Sequence, residues 1–160
     1  MRKILEAVAV IAFLADVWIT YRALSGPNPL PARIPTHFDA AGNPNGWGSP
    51  TALIFLPGIA IALYFGITAV SRFPMAFHYP VRVTQVNLPR IQSLTLDMLA
   101  WIKAELCGMF CALQYWMIEA ARSGEGRLPQ LLMPGFLVLI FGTIGIYFVL
   151  VITSARSDPN

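Results

Sequence analysis

Four long apolar stretches alternate with polar, turn-rich segments along this chain of 160 residues. The apolar stretches cover residues 4–24, 51–70, 91–121 and 131–153. A helix of ~20 residues crosses the hydrocarbon core of a bilayer, and each stretch is close to that length or longer. The pattern therefore predicts an all-α protein, an integral membrane four-helix bundle that forms a single transmembrane domain over residues 1–160.

The composition agrees with a membrane location. Hydrophobic residues make up 56% of the chain and charged residues only 12%, whereas a soluble domain carries about 25% charged residues. The net charge is +3, and the arginines stand singly at the ends of apolar runs, as they do at membrane flanks. They form no basic cluster of the kind that binds nucleic acid. We therefore expect a lipid bilayer around the chain and no nucleic-acid partner.

The distribution of lysine and arginine predicts the orientation of the helices. Basic residues are slightly more frequent on the side of the N-terminus than on the opposite side, and cytoplasmic loops carry such an excess in membrane proteins. We expect a multi-pass protein of the bacterial inner (cytoplasmic) membrane with both termini in the cytoplasm. The first loop would then face outward.

That first loop, residues 30–50, is long, polar and rich in turn-forming residues. Loops beyond about 12–15 residues without regular structure are usually functional or disordered, and Pro44-Asn45-Gly46 favours an ordered tight turn. The candidate binding residues in this loop are His37, Phe38, Asp39, Asn43, Asn45 and Trp47. They predict a face that holds a peptide, a lipid or a partner subunit. The alternative is a purely structural hairpin in which Asp39 orients a neutral His37.

Among the charged residues inside the predicted spans, Asp16, Lys103 and Glu105 are the candidate intramembrane polar residues. Each such group costs about 2.5–3.5 kcal/mol at the middle of a membrane on insertion scales, and such groups normally have partners. Lys103 has no acidic residue one turn away on its own helix, so we predict an ion pair between Asp16 and Lys103, direct or through one water. This pair would either fix the helices to each other or belong to a proton or ion relay.

Familiar catalytic and metal-binding patterns are missing. His37 with one nearby carboxylate offers too few ligands for a structural zinc site, and Cys107 and Cys111, four apart on one helix, are typical of small buried hydrophobes. The sequence contains no G-x-S-x-G, H-E-x-x-H or G-x-x-x-x-G-K-[ST] motif. We therefore expect no catalytic residues, no metal and no cofactor, and we favour a protein that is not an enzyme.

The long loop also carries a family pattern. Leu30–Trp47 reads L-P-x-x-I-P-x-H-F-[ND]-x-x-G-x-P-[DN]-G-W, followed by Y-P-V at Tyr79–Val81 and W-x-K-x-E at Trp101–Glu105. With these motifs, residues 25–120 resemble the bacterial membrane domain of unknown function that forms the N-terminal half of SdpI-type toxin-immunity proteins. Asp39 stands where the family pattern has Asn, and Asn45 where it has Asp. The resemblance implies protection against a secreted antimicrobial peptide and signalling by sequestering a repressor at the membrane.

These observations together predict a binding module of the immunity or signalling type and not a catalyst. One alternative is a structural accessory subunit of a larger membrane complex. Another is an ion- or metal-linked transporter, or an intramembrane enzyme, that uses the buried charges. The sequence is compatible with a peptide or membrane-protein partner and with a homo-oligomer.

Overall fold

The computed structural model describes residues 1–124 and 126–156 and is mostly helical. The regular elements are α1 (Arg2–Ser25), β1 (Ile34–Phe38), β2 (Pro44–Gly48), α2 (Phe55–Ser71), α3 (Leu88–Ser123) and α4 (Leu132–Arg156). The four predicted helices are present within a few residues of their expected bounds. The prediction of an all-α protein was incomplete, because the long loop folds into the antiparallel hairpin β1–β2.

Three of the helices are long and apolar enough to cross a membrane: α1, α4 and the segment Pro50–Ser71, which contains α2. The 36-residue α3 is not among them, because polar and charged side chains lower its hydropathy. At 1.5 Å per residue, α3 is roughly 54 Å long, well beyond the ~30 Å of a hydrocarbon core.

The polar helix α3 occupies the centre of the bundle and packs against α1, α2 and α4. Its polar residues Lys103 and Gln114 are buried. The apolar helix α4 lies at the outside and exposes large hydrophobic side chains, such as Val138 with 72% of its surface accessible. Polar groups inside and apolar groups outside are the arrangement expected of a protein surrounded by lipid.

The hairpin lies on one end of the bundle. Ile34 at the start of β1 is completely buried in a cluster with Ala23 of α1, Leu53 of the turn before α2, and Met117 and Ile118 of α3. The hairpin is therefore held by apolar packing on the ends of α1 and α3.

The turn of the hairpin spans residues 39–43, so the prediction of a turn at Pro44-Asn45-Gly46 was wrong. Pro44–Gly48 forms strand β2 instead. The N–H of Gly42 donates to the carbonyl oxygen of Asp39 at 3.0 Å, and Gly42 has a φ of +79°. Glycine adopts this left-handed conformation without the strain that a Cβ would bring, and the chain therefore turns directly before β2 and not within it.

Candidate functional site

The Asp39 carboxylate organises the hairpin turn. Its Oδ1 accepts the backbone N–H groups of Ala41 at 2.9 Å and Asn43 at 2.8 Å. The side-chain amide of Asn43 donates to Oδ2 at 3.2 Å. The backbone N–H of Asn43, followed by its side-chain amide, stabilises the ionised form and lowers the pKa of Asp39. Asp39 therefore remains negatively charged at neutral pH.

His37 takes its orientation from Asn45, so the alternative interpretation in which Asp39 orients it was wrong. The Nδ1–H of His37 donates to the side-chain carbonyl oxygen of Asn45 on the neighbouring strand. Gly46 lies opposite His37 in the strand register, and a Cβ built there would be only 2.8 Å from the Cβ of His37. His37 is exposed, and its Nε2 has no hydrogen-bond partner among the described residues. This nitrogen is available to a ligand.

The connection between α3 and α4 supports the hairpin, which the sequence did not reveal. The N–H of Leu128 donates to the carbonyl oxygen of Gly42 at 2.9 Å. A Cβ on Gly42 would approach the Leu128 carbonyl oxygen to 2.4 Å, and a Cβ on Gly126 would contact Pro44 at 3.2 Å and Trp47 at 3.9 Å. The glycines at positions 42, 46 and 126 were the features of the sequence that could have predicted these close approaches of the backbone.

A groove of about 280 Å³ lies between the hairpin and the bundle; we call it the hairpin groove. Its lining includes Thr36, His37 and Asp39 on the polar side and Leu56, Phe110, Leu113, Met117 and Met133 on the apolar side. Of the six candidate binding residues, His37, Phe38 and Asp39 line this groove. Asn43 holds the carboxylate of Asp39 in place, and Asn45 holds the imidazole of His37. Trp47 is 51% exposed and lies beside the connection between α3 and α4.

Inside the bundle, Lys103 joins three helices. Its Nζ donates to Glu6 Oε1 of α1 at 2.5 Å and to Thr68 Oγ1 of α2 at 2.9 Å, and it lies 4.8 Å from the centre of the Tyr64 ring. The Tyr64 hydroxyl donates to Glu6 Oε2 at 3.1 Å. The Lys103 side chain is 3% exposed and that of Glu6 is 40% exposed. We call these four residues the Lys103 network.

The predicted pair of Asp16 and Lys103 does not form, because α1 and α3 do not begin at the same level. Arg2 Nε donates to Asp97 Oδ1 at 2.7 Å, so the start of α1 lies beside the tenth residue of α3. Lys103 is six residues beyond Asp97 and therefore reaches Glu6, about ten residues before Asp16 on α1.

Asp16 and Glu105, the other two predicted intramembrane residues, lie apart from the Lys103 network. Asp16 is completely buried, and neither of its carboxylate oxygens has a hydrogen-bond partner within residues 1–124 and 126–156. Nearby, the Gln114 amide donates to the Thr20 hydroxyl at 2.6 Å. Glu105 Oε1 accepts the Thr143 hydroxyl of α4 at 2.5 Å.

No set of three or more His, Cys, Asp or Glu side chains in the described part of the chain could hold a metal ion. Cys107 and Cys111 are free thiols, the first of them buried. The polar groups are thus arranged as an exposed hairpin tip and as separate contacts between helices.

The fold and these polar groups define a helical protein with membrane-span-like helices and an ordered hairpin at one end. Residues 7–61 match the family model described as a domain of unknown function (DUF1648). This match extends over most of α1, the hairpin and the beginning of α2. Over 126 residues the chain is 27% identical to an uncharacterized protein of Archaeoglobus fulgidus, with 70% of this chain and 66% of that protein covered. The chain thus spans less than two thirds of that relative. No solved structure matches.

Proposed function

We propose that this protein is a four-span membrane bundle whose hairpin groove binds an amphipathic peptide, and that it acts as an immunity- or signalling-type module. The observation that carries this proposal is the composition of the groove. The exposed His37 and the ionised Asp39 stand over an apolar floor that includes Leu113 and Met133. A concave apolar site with a few fixed polar groups is the usual form of a ligand site.

The charges of the groove select the kind of peptide. Asp39 keeps its negative charge because the turn lowers its pKa, and the free Nε2 of His37 accepts a hydrogen bond. A peptide with a lysine, an arginine or a free N-terminus would meet both groups, while its apolar side chains would occupy the floor. The resemblance to the domain of SdpI-type immunity proteins supports a peptide as the ligand.

The proposed membrane arrangement follows from the packing. With α1, α2 and α4 apolar enough to cross a bilayer, α3 would cross as the shielded fourth helix. The weak excess of basic residues on the side of the N-terminus would place both termini in the cytoplasm. The hairpin groove would then face a peptide that arrives from outside the cell.

The Lys103 network supports a structural role for that part of the bundle. Lys103 is paired with Glu6, donates to Thr68 and lies over the Tyr64 ring, so its charge is compensated within the protein. Such a closed network favours a fixed contact between helices over a proton or ion relay.

Native mass spectrometry of the chain, gently extracted from the membrane of its own host, tests the proposal. We expect a bound peptide on the wild-type protein and its loss in Leu113→Trp, which fills the groove, and in His37→Ala. The matched controls are Val138→Trp on the lipid-exposed face of α4 and His78→Ala, the other histidine of the chain, in the loop before α3. Both controls should retain the peptide.

Three outcomes would overturn the proposal. A wild-type chain without any bound peptide contradicts it directly. Equal peptide retention in Leu113→Trp and Val138→Trp would show that the groove is not the site. If His37→Ala unfolds in detergent while His78→Ala does not, the histidine is a structural residue of the hairpin.

A further inference from the structure

A second cavity, of about 400 Å³, lies between α3 and α4; we call it the lateral cavity. One wall carries Asp97, Trp101 and Glu105, spaced four residues apart on α3. The facing wall of α4 contributes Leu139, Thr143, Ile146, Tyr147 and Leu150. Residues three and four apart share one helix face, so the cavity runs along the groove between the two helices. Its volume lies within the range of about 300–1,000 Å³ typical of small-molecule sites.

The lateral cavity opens on the outside of the bundle. Trp101 and Ile146 belong to its lining, and they are 42% and 63% exposed. In a bundle surrounded by lipid, a molecule would therefore enter sideways from the hydrocarbon region. The walls are mostly apolar, which suits an alkyl chain.

Glu105 gives this apolar cavity an unused acidic group. Its Oε1 accepts the Thr143 hydroxyl, whereas its Oε2 is buried and no described residue donates to it. The other acid of the lining, Asp97, is already paired with Arg2. Glu105 has no cation within ion-pair distance among the described residues. A buried carboxylate in low dielectric requires a partner or a proton.

We propose that the lateral cavity binds an amphipathic amine from the bilayer. The protonated amine would donate to the Glu105 carboxylate, and its alkyl chain would lie against Leu139 and Ile146. Charge complementarity selects this ligand class, because an anionic lipid would meet the Glu105 carboxylate, which has no cation partner among the described residues. The inference does not depend on the hairpin groove, since the two cavities share no lining residue.

Fluorescence quenching in lipid nanodiscs tests the proposal with 12-bromododecylamine as the probe, because bromine quenches a nearby indole. We expect saturable quenching in the wild-type protein and its loss in Trp101→Phe, which removes the reporter inside the cavity. Glu105→Gln should require at least about tenfold more amine, the effect of losing one charge-assisted hydrogen bond. Glu119→Gln, an exposed glutamate on the same helix, should behave as the wild type.

The uncharged probe 12-bromododecanol separates a specific amine site from ordinary lipid contact. We expect the alcohol to quench at least about tenfold more weakly than the amine in the wild-type protein, again from one charge-assisted bond. Equal affinity for alcohol and amine, or unchanged amine binding in Glu105→Gln, would overturn the proposal. If Glu105→Gln does not fold, Ile146→Trp replaces it, because filling the cavity must also abolish the saturable signal.

Discussion

The Lys103 network and the hairpin tip contain similar polar chemistry in opposite surroundings. Lys103 is almost completely buried and is bonded within the protein, whereas His37 and Asp39 stand at the surface. In the first region, the bonds of Lys103 connect α3 to α1 and α2. In the second region, bonds fix the shape of the backbone and leave the outward side of each group to a ligand.

The surroundings of a polar residue decide its role in these two regions. A charge that is removed from water must be compensated inside the protein, so its loss destabilises the fold. A charge at the surface contributes little to stability, and its substitution should change binding instead. The three predictions below test this contrast, beginning with the largest expected effect.

The first prediction concerns Glu6, the counter-ion of Lys103. Glu6→Ala leaves the buried ammonium of Lys103 without its anion, and we expect the free energy of unfolding to fall by about 2–3 kcal/mol. Denaturation with SDS in mixed micelles, followed by circular dichroism, measures this change. Glu6→Gln keeps an acceptor for Lys103, so its free energy of unfolding should fall less than that of Glu6→Ala.

The control for Glu6 is Glu119→Ala, at an exposed glutamate of α3, which should change the stability by less than about 0.5 kcal/mol. Equal stability of Glu6→Ala and Glu119→Ala would show that the Lys103 network does not hold the helices together. The contrast between the buried and exposed regions would then fail.

The second prediction concerns Gly42, where the hairpin meets the connection between α3 and α4. Gly42→Ala introduces strain at a φ of +79° and a Cβ 2.4 Å from the Leu128 carbonyl oxygen, at a cost of about 1–3 kcal/mol. We expect the loss of stability to be confined to the hairpin and to its contact with Leu128. Hydrogen exchange should accelerate around residues 39–43 and at Leu128, while the helices keep their protection.

Gly58→Ala is the matched control, because a Cβ at this helical glycine meets nothing within 4 Å. It should leave exchange in the hairpin unchanged. Uniform destabilisation of all helices by Gly42→Ala would contradict the interpretation of the hairpin as a separate unit placed on the end of the bundle.

The third and smallest effect is the titration of Asp39. The pKa of Asp39 is lowered in the folded turn. The stabilisation that its ionised carboxylate gives the hairpin is therefore fully present above the ordinary pKa of a free aspartate, about 3.9. That contribution is lost as the pH falls through the lower pKa of the folded state. The backbone amide resonances of Ala41 and Asn43 should therefore be constant near neutral pH and shift only in acid.

Asp39→Asn provides the control for this titration, because it removes the ionisable group and keeps a side-chain acceptor for the turn. Its amide resonances at positions 41 and 43 should show no acid transition. A wild-type transition at or above the ordinary aspartate range would contradict the bonding described for the turn.

The sequence predicted the helices well and the pairing of their charges poorly. Apolar runs reveal helices because each run is a local property of the chain. The partner of Lys103 depended on the relative level of α1 and α3, which no local pattern of residues reveals. The Arg2–Asp97 contact shows that α3 begins earlier, and this offset moves the partner from Asp16 to Glu6.

The hairpin illustrates the same limit on a smaller scale. The sequence indicated an ordered loop with His37 and Asp39, and both line the groove. The turn was expected at Pro44-Asn45-Gly46, because Asn and Gly accept a positive φ. Asp39 captures the N–H groups of Ala41 and Asn43 instead, and the connection at Leu128 supports Gly42 from the other side. Contacts from a segment about 85 residues further along the chain cannot be read from local pattern.

The order of apolar and polar residues is enough to predict that this protein is helical, that most of its helices are apolar enough for a membrane, and that the loop after the first helix is ordered. These properties depend on hydrophobicity and turn chemistry within short windows. Which charges meet, which carboxylate oxygens stay without a partner among the described residues, and where the two cavities lie became visible only in the folded chain. These properties depend on how far each helix is shifted along its neighbours, and a shift of a few residues is enough to exchange one partner for another.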